Sequence, residues 1–369
     1  AKPISCVTKQ HVIPSCAKSF IVTNTSLTVS GSSAAVISSG KGFTLDGSTM
    51  SSADLDLRGI SASSGMTLTL AGSANISVQA ANSLGDFTLT AYGAAESIDI
   101  ANISASGVAI TTGLQGDFSA ASLYAADNVT IDASGATTAQ GVTITGLSAS
   151  GTVAITMGAG SGTVSMLTAR SLESSFTLDA SRFDGEIDLQ NLLASGANIS
   201  LGTGGDFSAS VISMQVGTFT LNATSSDASG ETISITTVSA SGVAMNMNSK
   251  AAASAFIASA HVASDFVWSG SNYNGGLDIT EISASSISIT TGSVFNFSAQ
   301  SAQVLGNFTL NGAALTSANL TFSTFSASGS VNMQFGTMSG DLVVSAMQVD
   351  GGMYWSAEQA AGMGVRIGD

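Results

Sequence analysis

The groups able to do acid–base or metal chemistry near neutral pH are 24 Asp and Glu, two His and two Cys, with nine Lys and Arg. Their spacing gathers few of them. Carboxylates recur in a Gly-Asp/Asn-Phe motif at Gly85-Asp86-Phe87, Gly116-Asp117-Phe118, Gly205-Asp206-Phe207 and Gly306-Asn307-Phe308, with Ser264-Asp265-Phe266 as a variant. An Asp between Gly and an apolar strand residue is chiefly a turn former. A column of such carboxylates is also a donor set for calcium, but the GGxGxD nonapeptide of calcium-binding β-rolls is absent. No cofactor is therefore expected, with calcium kept as the alternative.

Nucleophilic and metal-assisted catalysis find even less. Cys6, Cys16 and His11 make three candidate ligands at a spacing that matches no zinc pattern. His261 stands in an Ala/Ser-rich stretch, and Lys41, Lys250, Arg58, Arg170, Arg182 and Arg366 are scattered. Carbohydrate lyases need clustered Asp with Lys, Arg or His in a groove. No GxSxG, HExxH, Walker or dinucleotide fingerprint occurs. Ser is abundant, but no base is placed to activate it. The chain is not expected to be an enzyme.

The elements that carry these residues repeat. A small-residue cluster begins at Ser61, Ser104, Ser148, Leu193, Ser239, Ser283 and Ser326, a period of about 44 residues. A second marker, of Phe-Thr-Leu type, begins at Phe43, Phe87, Val129, Phe176, Phe219, Phe266, Phe308 and Met353. The series interleave, and each unit reads as two similar halves of about 22 residues, as Phe207–Thr224 and Ile233–Ser249 show. Within each half, apolar and polar residues alternate, as in Val142-Thr143-Ile144-Thr145, the signature of strands with one buried face. A fixed period of this kind decides the architecture before any single residue does.

The expected fold is all-β: a parallel β-solenoid of about 16 coils of ~22 residues, preceded by a short disulfide-stapled N-terminal segment. At ~4.8 Å per coil the rod would be on the order of 75–80 Å long. The organisation expected is an N-terminal arm or cap over 1–18, repeats over 19–356 and a tail over 357–369. Phe43, Phe87, Phe176, Phe219, Phe266 and Phe308 are expected to stack along one inner wall. A β-propeller, with four strands in about 45 residues, is the rival, but its blades use wider loops and more charge.

Composition agrees. Charged residues are 9% of the chain, against roughly 25% in ordinary globular proteins. Pro occurs only at Pro3 and Pro14, ahead of the repeats, which suits unbroken backbone ladders. The net charge of −15 argues against nucleic acid, which needs a basic face. No run of 18 apolar residues exists, so no membrane span is expected. Cys6 and Cys16 both lie in the first 17 residues; one disulfide between them would contribute ~2–3 kcal/mol and favours a secreted, extracellular or cell-surface location.

The two ends differ from the repeats. Lys2, Lys9 and Lys18 make the N-terminal segment locally basic on an acidic chain. It reads either as a cap over the first coil or as a docking arm. At the other end the repeat runs to Met353-Tyr354-Trp355-Ser356. A coil with free strand edges is a template for another strand, and a head-to-tail contact that does not close makes a filament. Lys2, Lys9, Lys18, Tyr354 and Trp355 are therefore the candidate assembly residues.

In coil length and Ser/Thr/Gly/Ala-rich strands, residues Phe20 to Trp355 resemble secreted bacterial β-solenoid surface proteins of the filamentous-haemagglutinin type. The resemblance implies architecture and a surface location; it carries no functional residues. The function expected is a structural subunit of an extracellular filament, appendage, sheath or surface layer, a homopolymer assembled through solenoid ends and the N-terminal arm. The alternative is a monomeric adhesin binding a cell-surface glycan, for which Trp268, Tyr273 and Trp355 are the aromatic candidates. Thr-x-Thr triplets such as Thr67-Leu68-Thr69 and Thr88-Leu89-Thr90 raise ice binding, but Ser, Asp or Asn interrupts the array in other coils.

Overall fold

The computed structural model of the chain describes residues 20–21, 26–29, 36–48 and 52–368, less 71–72, 92–93, 114, 138–139, 203, 224–231, 249–251, 338 and 358–362. It is an all-β, parallel β-solenoid, with no helix among the described residues. Each turn has three sides. In one turn these are Phe118–Ala120, Ser122–Ala125 and Val129–Ala133, which lie parallel to the next turn with Phe118 on Val142, Leu123 on Leu147 and Val129 on Val153. The three are called here the first, second and third sides. The Phe-Thr-Leu marker forms the third side and the Ser-Ala-Ser marker ends the second.

The alternation read from the sequence decides which residues point inward. Over Val129–Ala133 the odd positions are buried and the even ones are not, and the same holds over Phe87–Ala91 and Val153–Met157. Burying one apolar side chain in two on every strand stabilises each turn by roughly 1.5–3 kcal/mol per large residue. No face beyond the turn's own interior is needed.

The chain divides into two compact units, residues 1–186 and 187–369. About 13 turns have a described, buried core. Six belong to the first unit, from Ser52–Leu57 to Thr163–Ala180, and seven to the second, from Glu186–Leu201 to the turn closed by Val331–Phe335. This is fewer than the sixteen expected, and the difference lies at the ends. The strands of residues 20–47 are described only in part, and the strands of 340–357 leave much of their interior open.

The aromatic column expected along the inner wall is also corrected. Phe43 and Phe87 are separated by Met66, and Phe87 and Phe176 by Val108, Val129 and Val153. In the second unit Val243 lies between Phe219 and Phe266, and Ile287 between Phe266 and Phe308. A 44-residue period is two turns, so these Phe alternate with aliphatic residues. Rings meet elsewhere in the second unit. Trp268 meets Tyr273 edge to face at 5.3 Å, and Phe308, Phe322 and Phe325 make edge-to-face pairs at 5.1–5.8 Å. Tyr273 sits in a corner, not on a strand of the repeat, so the alternation did not reveal this cluster.

Candidate assembly surface

The recurrent Asp and Asn residues join one turn to the next. Asp117 Oδ1 accepts from the Gly141 amide at 2.7 Å, and Asp206 Oδ1 from the Thr232 amide at 2.8 Å. Asn307 Oδ1 accepts from the Ser330 amide at 2.9 Å. Asn128, outside the motif, accepts from both the amide and the hydroxyl of Thr152 at 2.8 Å. At each site a side-chain oxygen satisfies a backbone N–H where the following turn rounds a corner, a group that otherwise lacks a ladder partner. Asn serves as well as Asp because one acceptor oxygen is all the contact uses. Among the described residues no group of three His, Cys, Asp or Glu is placed to hold a metal ion.

Outward hydroxyls and amides run along the turns in the same way. Ser119 donates to Asp99, Ser208 to Asp188 and Ser298 to Asp278 at 2.7–2.9 Å. Asn246 donates to Asn222, and Asn222 to Asn198, at 2.7 and 2.9 Å. The Thr-x-Thr triplets do align, Thr67 with Thr88 and Thr69 with Thr90 and Thr111, but Ala109, Asp132, Ala154 and Asp179 break the two columns. His261 Nε2 lies 3.1 Å from Ser259 Oγ on an exposed strand.

The candidate assembly residues part into two groups. Lys2, Lys9 and Lys18, and the Cys6–Cys16 pairing, lie outside the described residues. Tyr354 and Trp355 lie on Met353–Ala357, a third-side strand that pairs along one edge with Val331–Phe335. Among the described residues nothing pairs with its other edge. Trp355 holds the ladder position of Met333, Leu310, Ile289 and Trp268. Trp268 is fully buried, whereas Trp355 is 38% exposed and the neighbouring Tyr354 is 65% exposed.

The first side continues for one strand more. Met363–Ile367, inside the segment expected to be a tail, lies on Gly340–Val344 with Val365 over Leu342 and Ile367 over Val344. Leu342 and Val344 are buried, but Val365 and Ile367 are about half exposed. On the second side Met347 and Val349 are only half-buried, where their ladder partners Phe325 and Ala327 are fully buried. Met347, Val349, Trp355, Val365 and Ile367 are thus more exposed than their ladder partners in the preceding turn. Sequence reasoning named Tyr354 and Trp355 as candidates. It missed Val365 and Ile367, because Met363-Gly364-Val365-Arg366-Ile367 carries neither marker.

The corner before this surface is fixed by Gly340, whose φ of 134° is open to glycine alone. A Cβ there would overlap the Ala318 carbonyl oxygen. Among the described residues no helix is long and apolar enough to cross a membrane.

No family model, no curated protein and no solved structure matches the chain. The likeness to filamentous-haemagglutinin-type adhesins rests on the solenoid architecture alone.

Proposed function

We propose that this protein is a structural subunit of an extracellular filament, appendage, sheath or surface layer, and that it assembles through the ends of its solenoid. The observation that carries this reading is the solenoid itself, like parallel turns joined strand to strand and by side-chain contacts such as Asn246 to Asn222 and Asn222 to Asn198, a stack that accepts a further turn of the same shape. Free parallel edges over an apolar interior select a further β-turn as partner. The sides of the turns support the reading in a second way. Many of their polar groups bond to the neighbouring turn, which stiffens the scaffold.

Negative-stain electron microscopy with sedimentation velocity tests this, with the cysteines oxidised or reduced and with or without calcium. Filaments or ordered sheets, with a sedimentation coefficient that rises with protein concentration, are the expected result. A concentration-independent monomer under all four conditions refutes it. Retention of that monomer on a glycan surface would then favour the adhesin, with Tyr354 and Trp355 as the stacking residues.

A further inference from the structure

Among the described residues three buried side-chain polar atoms have no hydrogen-bond partner: Gln140 Oε1, Trp268 Nε1 and Thr291 Oγ1. All three lie at the corner where a third side gives way to the next first side. Gln140 comes just before the first-side strand that opens at Val142, and Trp268 and Thr291 stand near the ends of third-side stretches. A buried donor or acceptor has given up its hydration and is rarely left without a partner, protein or water.

Thr112 and Thr291 hold the same place in their turns. Each is the inward residue that follows four third-side residues, Val108–Thr111 and Ile287–Thr290. Leu70, Ala133 and Met157 hold that place in other turns. Both threonines are buried. In the first unit the Thr112 hydroxyl accepts from Gln140 Nε2 at 2.6 Å. In the second unit Ala318 takes the place of Gln140: a Cβ on Gly162 would overlap the Gln140 carbonyl oxygen, and a Cβ on Gly340 the Ala318 carbonyl oxygen. Leu315 correspondingly takes the place of Ala136, each donating its amide back to the end of a third side, Gly312 and Ala133. Large for small at one position and small for large at the other keeps the corner filled, but it removes the amide that would meet the threonine.

The two unpartnered atoms of the second unit flank one glycine. Gly270 is the ladder partner of Thr291. A Cβ on Gly270 would come 2.9 Å from Trp268 Nε1 and 3.0 Å from Tyr273 Cβ. The glycine therefore leaves space beside the indole N–H, on the strand that faces the threonine. Tyr273 does not supply the missing partner, since its hydroxyl donates to the Gly276 carbonyl at 3.1 Å.

We infer that the corner beside Gly270 is the binding site of one buried water, which accepts from the Trp268 indole N–H and hydrogen-bonds the Thr291 hydroxyl. An indole N–H only donates, whereas a hydroxyl both gives and takes. Water matches that set, and a cation, which the N–H would repel, does not. A buried water needs roughly two to four polar partners, and the two orphaned groups supply the first two. The water joins Trp268 to the following turn, as Gln140 joins its own turn to Thr112.

Nuclear magnetic resonance tests the site directly. Protein labelled with 15N at the tryptophan indoles gives one resonance from each of its two tryptophans, and Trp355→Phe assigns them. The Trp268 indole proton should show a cross-relaxation peak at the water frequency. Thr291→Val, which keeps the shape and removes the hydroxyl, should abolish that peak, and Thr291→Ser should retain it. Thr291→Val should also unfold at a lower urea concentration than wild type, because the indole N–H loses its bridge. In a Trp268→Phe background the same substitution should lose most of that effect. A Trp268 indole without the water peak overturns the inference. So does a Thr291→Val protein at least as stable as wild type, the result expected of a hydroxyl that is simply unpaired.

Discussion

Trp268 and Trp355 are the only tryptophans of the chain, and they hold equivalent positions on the third side of the second unit. One is fully buried and the other 38% exposed. A Trp side chain carries roughly 200 Å² of accessible surface, so at about 25 cal/mol per Å² the uncovered fraction of Trp355 is worth about 2 kcal/mol. Trp268→Ala should therefore cost about 2 kcal/mol more than Trp355→Ala. Loss of its edge-to-face contact with Tyr273 adds about 0.5–1.5 kcal/mol. Against this runs the indole N–H of Trp268, which has no hydrogen-bond partner among the described residues and whose burial costs about 1–3 kcal/mol. Trp268→Phe separates the terms, because it removes the N–H while keeping a ring; it should cost less than half as much as Trp268→Ala. Urea unfolding followed by fluorescence gives these differences, and each variant leaves one tryptophan to report on itself. In Trp355→Phe the remaining emission should be blue-shifted and shielded from acrylamide. In Trp268→Phe it should be red-shifted and quenched at low protein concentration, and become shielded as concentration rises. Equal quenching of the two tryptophans in dilute protein would refute the exposure of Trp355.

The remaining predictions concern the scaffold. Asp117→Asn should leave stability unchanged, whereas Asp117→Ala should speed amide exchange at Gly141 by roughly fivefold, since a hydrogen bond worth about 1 kcal/mol is lost; equal exchange in the two variants would refute the assigned role. Asn128→Ala should do more at Thr152, where two contacts are lost. Gly340→Ala forces a Cβ onto the Ala318 carbonyl at a positive φ and should cost about 1–3 kcal/mol. Hydrogen exchange should localise that loss to residues 340–367 and spare the turns around Phe207; uniform loss across the second unit would refute a local role.

The fold was legible because a solenoid repeats its instructions. Strand alternation, the 22-residue half-period and the confinement of Pro to the first 14 residues together fit a stack of parallel ladders. The contents of the core were less legible. Phe87 and Phe176 look adjacent in the marker series, yet three turns' worth of aliphatic residues occupy the intervening ladder positions. A marker recurring every second turn says nothing of the turn between. The turn locks were hidden for a related reason: Asp117 and Gly141 are 24 residues apart, and Gly-Asp-Phe alone does not name the amide it will meet. The candidate surface was half visible. Tyr354 and Trp355 stand out as large aromatics at a marker, while Val365 and Ile367 acquire meaning only when their strand is seen lying on Gly340–Val344 with nothing described above it. Periodicity predicts what every turn shares. It says nothing of what differs from one turn to another, such as the exposure of Trp355 against the burial of Trp268.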